Sequence, residues 1–160
     1  MAFIYDVEIT THSIIVDLAD GLPVGEEEIS ITTARGFLRV SEDELRLSYT
    51  ENQEGGRVST ELRLAERRGE VCTACPDSAS PRYRVELSKR GGIESDMIFV
   101  EGESSKTLYR IPPYSFDMEL TTDRITSTLT KEGGDLRLRY IMKVGGQDRR
   151  VRLNIKVKRL

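Results

Sequence analysis

The amino-acid sequence predicts an all-β chain, folded as a single closed or nearly closed antiparallel β-barrel of roughly eight to ten strands. Three observations lead there. Apolar and polar residues alternate with a period of two in one segment after another, paired glycines stand between several of those segments, and no long stretch carries a helical repeat. Short strands with tight turns favour a meander that closes on itself, because closure removes the unpaired edges of an open sheet.

The C-terminal end shows the pattern most cleanly. Val151, Leu153, Ile155 and Val157 fall on one face of a strand and Arg152, Asn154, Lys156 and Lys158 on the other, and 136–144 alternates likewise apart from Ile141. Between them, Gly145 and Gly146 suit a two-residue type I′ turn, whose central positions need positive φ. That turn sets Val144 opposite Gln147 and pairs Met142 with Arg149, Tyr140 with Val151, Leu138 with Leu153 and Leu136 with Ile155, so the apolar faces coincide. A second turn at Gly133-Gly134 is expected to bring Leu129 against Leu138 and Ile125 against Met142. Upstream, 116–120 alternates out of phase with Ile125, which predicts a bulge near Asp123. The first strand slips similarly, Tyr5, Val7 and Ile9 giving way to Ile14, Val16 and Leu18, as in a long strand bent around a barrel corner. Further strands are read at 28–40, 44–50, 57–64, 83–87, 97–100 and 106–111, between turn formers at 19–25, 41–43, 53–56, 67–69 and 91–92.

A chain of 160 residues fits one domain, 1–160, and is long enough to build a core without metal or disulfide. No apolar run approaches the roughly 18 residues that span a bilayer, so no membrane partner is expected. Asp6 and Glu8 stand where a secretory leader carries positive charge and then an apolar block, so a cytoplasmic location is expected. The net charge of −3 hides an asymmetry: from Arg124 onward 11 Lys and Arg stand against 3 acids, whereas the preceding residues carry 13 against 24. A basic end can serve an anionic partner. In a closed sheet, however, the last strand lies beside the first, where Arg152, Lys156 and Lys158 would face acids such as Asp6 and Glu8. Overall acidity argues against nucleic acid.

Chemistry is thinly provided. Cys72 and Cys75 form a lone C-x-x-C, but zinc wants four ligands and the chain has no second cysteine pair and a single histidine, His12, so two reduced thiols beside an exposed loop are expected. A redox role would need a strand running into a helix, and Pro76 to Pro81 is a proline-punctuated polar loop. No phosphate-binding glycine loop is present, and Glu26-Glu27-Glu28 and Glu42-Asp43-Glu44 read as solvated turn acids. With no base beside a nucleophile, the balance is against an enzyme, and no cofactor or metal site is expected.

The order of motifs resembles the YwiB-like family, small bacterial proteins of unknown function with a lipocalin-like (calycin) barrel. The resemblance rests on TARGF (33–37) leading to LSYTE (47–51), KRGGI (89–93) leading to MIFVEG (97–102), Leu108-Tyr109 followed by SFDMEL (115–120), and YIMKVGGQ (140–147) leading to NIKV (154–157). It covers nearly the whole length and implies a fold; none of these motifs is catalytic. The segment at about 70–82, which holds both cysteines, looks longer than the family's connection, and the chain lacks the tryptophan of secreted lipocalins.

Two functional readings follow. In the first, inward residues Met97, Phe99, Tyr109, Phe116, Met118, Tyr140 and Met142, with Arg149 near the mouth, line a pocket for a small apolar or amphipathic molecule. A solidly packed interior is its direct competitor, because narrow barrels fill with side chains. In the second, a protein or anion docks on the outer face of the last strands, where Arg139 stands opposite Arg152 and is flanked by Arg137 and Arg150. With Thr128 and Thr130 as expected neighbours on that face, no acid relieves the cluster from that side.

Overall fold

In a computed structural model, which describes residues 2–53, 56–66 and 82–160, ten antiparallel strands close into a barrel, with no helix among the described residues. They are β1 (Phe3–Ala19), β2 (Leu22–Val40), β3 (Glu44–Gln53), β4 (Gly56–Glu66), β5 (Tyr83–Gly91), β6 (Glu94–Val100), β7 (Ser104–Ile111), β8 (Tyr114–Ser127), β9 (Gly133–Val144) and β10 (Gln147–Arg159). Each strand pairs with the next, and β10 returns to pair with β1. Cys72, Cys75 and the segment at 70–82, apart from Arg82, lie outside the described residues.

The last hairpin has the register its glycines predict, from Val144 opposite Gln147 to Leu136 opposite Ile155, with φ of 60° and 81° at Gly145 and Gly146. The expected bulge near Asp123 is a register shift between Thr122 and Arg124. The β8–β9 hairpin differs from expectation. Its turn falls at Lys131 and Glu132, while Gly133 and Gly134 lie inside β9 at φ of 107° and 133°. Ile125 therefore pairs with Leu138, and Met142 with Leu120. An even slip leaves every side chain on its own face, so alternation alone does not distinguish the two registers.

The first strand slips later than expected. Val7 and Ile9 in the core are followed on the same face by Thr11, Ser13 and Ile15, and the phase changes only at the register shift against β2 between Ile15 and Asp17, where Val16 is buried. β2 starts at Leu22, inside the expected turn, so Glu26, Glu27 and Glu28 are exposed strand residues. β3 pairs only with Gly36 to Val40 of β2, which leaves β2 from Leu22 to Arg35 bonded, among the described residues, on its β1 side alone.

One end of the barrel is packed solid. Val7, Ile9, Leu38, Leu47, Leu62, Val85, Phe99, Leu120, Leu136 and Ile155 are almost completely removed from water there, and burial of this kind contributes roughly 1.5–3 kcal/mol per large aliphatic side chain.

Candidate functional site

Along the same inward faces the residue types change, and the barrel opens into a cavity of about 470 Å³. β1 and β2 supply a hydroxyl wall, Ser13 beside Ser30 and Thr11 beside Thr32. The remaining wall is mostly apolar, with Ile15, Leu87, Met97, Tyr109, Phe116, Tyr140, Met142, Val151 and Leu153. Glu51, Lys89 and Arg149 bring charge into it, and Arg149 donates to Asp17 across 3.0 Å. Lys89 stands between Thr60 and Ser95 on neighbouring strands, and both of those hydroxyls are buried without a hydrogen-bond partner among the described residues. Thr32 on the overhang of β2 and Glu51 on β3 lie past the last β2–β3 pair, so part of the hydroxyl wall belongs to a strand segment with no β3 partner among the described residues.

Of the expected interior residues, Met97, Tyr109, Phe116, Tyr140, Met142 and Arg149 reach this cavity. Phe99 and Met118 do not. Both belong to the packed core, where the Phe99 ring lies 4.7 Å from that of Tyr140, tilted by 51°. Alternation assigns a residue to the inner face but not to a height along the barrel axis, and the cavity occupies only part of that axis. Burial pushes the Tyr140 phenol well above its ordinary range, with Tyr109 adding to it. Tyr49 is pushed up to about 12, by burial first and by neighbouring Glu51 second. Thr11, Ser13, Ser30, Thr32 and Lys89 were not expected in the wall. Their signal in the sequence is the apparent phase slip of the first strand, where the inward residues turn polar while Ile14 faces outward.

On the outer face, Arg137, Arg139 and Arg152 surround a concavity of about 430 Å³ together with Arg124, His12, Ile14, Thr126 and Asn154. Arg139 lies opposite Arg152 as expected, and Arg124 extends the row on its other side. Arg150 is not part of it, lying in the next row between Ile141 and Val16. The neighbours of Arg137 and Arg139 on β8 are Thr126 and Arg124, in place of the expected Thr128 and Thr130, because of the changed register. One acid does relieve the cluster: the bulge residue Asp123 accepts from Arg139. On β1, Lys158 faces Glu8 as expected, whereas Arg152 faces Ile14 and Lys156 faces Thr10.

Residues 22–155 match the model of a family described as Domain of unknown function (DUF1934). The chain belongs to that family. It is 26% identical over 123 residues to the uncharacterized beta-barrel protein YwiB of Bacillus subtilis (strain 168), covering 77% of this chain and 75% of that one. The crystal structure of the ywiB protein from Bacillus subtilis superposes with a TM-score of 0.71 at 22% identity, covering 96% of this chain and 92% of that one. The resemblance read from the motifs is therefore a family relationship, and the ten-strand closed barrel matches the fold of that structure. The DUF1934 match runs from the start of β2 into β10. Every cavity residue from Ser30 to Leu153 lies within it, while Thr11, Ser13 and Ile15 precede it.

Proposed function

We propose that this DUF1934 barrel is a binding protein that holds one small amphipathic molecule in the open half of its interior. The observation that carries this reading is the cavity itself, about 470 Å³ above a packed floor, within the roughly 300–1,000 Å³ range of small-molecule sites. An apolar portion would lie against Leu87, Met97, Tyr140 and Val151, where burial drives affinity. A polar end would take the side of Lys89, whose neighbours Thr60 and Ser95 have hydroxyls without a partner among the described residues, because buried polar groups left unpaired favour a ligand that pairs them. Met97 and Met142 are flexible enough to fit more than one shape. Binding is favoured over catalysis, since the single histidine, His12, is on the outer face, away from the serine and threonine hydroxyls of the cavity.

Native mass spectrometry of the protein purified from cells in volatile buffer tests this. The expected result is a bound species of a few hundred daltons that denaturation releases and that the Tyr140→Phe variant retains less. Identical native and denatured masses, together with no saturable uptake of added amphiphiles, would end the reading.

A further inference from the structure

The structure assigns a second binding site, on the outer face of β8, β9 and β10: the arginine-walled concavity is a site for a diphosphate group. On β3, β4 and β5, four outward arginines meet carboxylates: Arg46 with Glu44 and Glu61, Arg63 with Glu61, Arg84 with Glu86, and Arg90 with Asp96. The arginines of the concavity are provided for less well. Arg124, Arg139 and Arg152 stand directly across from one another on three adjacent strands, Arg137 lies alongside, and Asp123 is the only carboxylate paired with any of the four among the described residues. Four guanidiniums against one carboxylate leave an excess of three positive charges on a chain whose net charge is −3. Like charges opposed across strands are destabilising, so an arrangement that concentrates them needs an anion to balance it.

Several features fix the class of that anion. A guanidinium fork matches phosphate oxygens in pairs of hydrogen bonds, and an excess of three charges matches pyrophosphate better than a monovalent anion. The bulge between Thr122 and Arg124 turns Asp123 toward Arg139 and leaves Arg124 without a carboxylate of its own, a use of bulges common next to functional sites. Half-buried Asn154 lies between Arg137 and His12, and its side-chain carbonyl has no hydrogen-bond partner among the described residues. The lining holds no Phe, Tyr or Trp, and the His12 imidazole is its one aromatic ring, a small platform for a base beside four guanidiniums for phosphate. We therefore assign the occupant as a diphosphate itself, and a nucleic-acid strand, whose bases could stack on His12 or on the guanidinium planes, is the alternative the experiment must exclude.

Isothermal titration calorimetry with sodium pyrophosphate, at fixed ionic strength, tests the site on the full chain. One saturable site is expected, with chloride and sulfate failing to compete at equal ionic strength. Arg152→Gln should weaken pyrophosphate about tenfold or more, and Arg137→Gln with Arg152→Gln should abolish it. Both variants should melt at or above the temperature of the parent without ligand, because a repulsion has been removed. That combination separates a binding role from a structural one. Pyrophosphate heats no larger than those of sulfate, binding unchanged in the double variant, or tight binding of a single-stranded oligonucleotide with none of pyrophosphate would each overturn the assignment.

Discussion

Tyr140 marks the boundary between the two halves of the interior. Its ring packs on Phe99 in the core and the residue also lines the cavity, and burial raises its phenol, as it raises that of Tyr49 to about 12. The consequence for stability follows from the sign of that shift. A phenol with a folded pKa above its unfolded value of about 10 binds its proton more tightly in the native state, so stability is unaffected below pH 10 and falls above it. Each such tyrosine contributes a slope of at most about 1.4 kcal/mol per pH unit while the unfolded phenol is ionised and the folded one is not. Urea titrations at pH 9 and pH 11 should show this loss, and the Tyr49→Phe, Tyr140→Phe double variant should lose distinctly less over the same interval. Deeper in the barrel, Leu138 lies between Ile125 and Leu153. Leu138→Asp is expected to cost about 4 kcal/mol or more, since a carboxylate there has no partner. A melting temperature within a degree or two of the parent would contradict the placement.

At the scale of strands, the parts legible in the sequence were those with a local rule. Gly145-Gly146 demands one turn type and so fixed its hairpin, and the phase break before Ile125 located the bulge. Gly133-Gly134 misled because positive φ also occurs inside a strand, and an even register change costs nothing in alternation. The hydroxyl wall was hidden for a different reason. Inward Thr11 and Ser13 break the hydrophobic pattern because they line space instead of packing, and a pattern read as burial records them as a slip. The free edge of β2 from Leu22 to Arg35 carries exposed Ile29 and Ile31 on its outer face, a template for pairing with another chain, and Glu26, Glu27 and Glu28 in that segment oppose such pairing by charge. Replacing the three glutamates by threonine should leave the unfolding midpoint nearly unchanged and lower the concentration at which light scattering reports association. At the β2–β3 seam, a Cβ on Gly36 would sit 2.3 Å from the Ser48 carbonyl oxygen and 2.8 Å from the Tyr49 Cβ. Gly36→Val is therefore expected to cost about 2 kcal/mol or more, with faster amide exchange in β2 and β3 than elsewhere.

In the whole molecule, the solid core and the cavity divide the labour of the barrel. The packed end buries large aliphatic side chains, whereas the open end carries hydroxyls, charges and space that a core could not tolerate. The same closure that removes most sheet edges places β10 beside β1, and so sets the hydroxyl residues Thr11 and Ser13 of β1 against Ile155 and Leu153. The position that tests this division most directly is Ser13, inward on β1, between Ser30 and Leu153. The chain has no tryptophan, so Ser13→Trp both fills the cavity and reports on it. Titration of an environment-sensitive apolar fluorophore into the parent and this variant is the decisive measurement. Saturable binding at one site per chain in the parent, lost in a Ser13→Trp protein that melts normally and emits at the blue-shifted wavelength of a buried indole, is the predicted result. Undiminished binding in that folded variant, or an indole emitting as if in water, would contradict a ligand cavity inside the barrel.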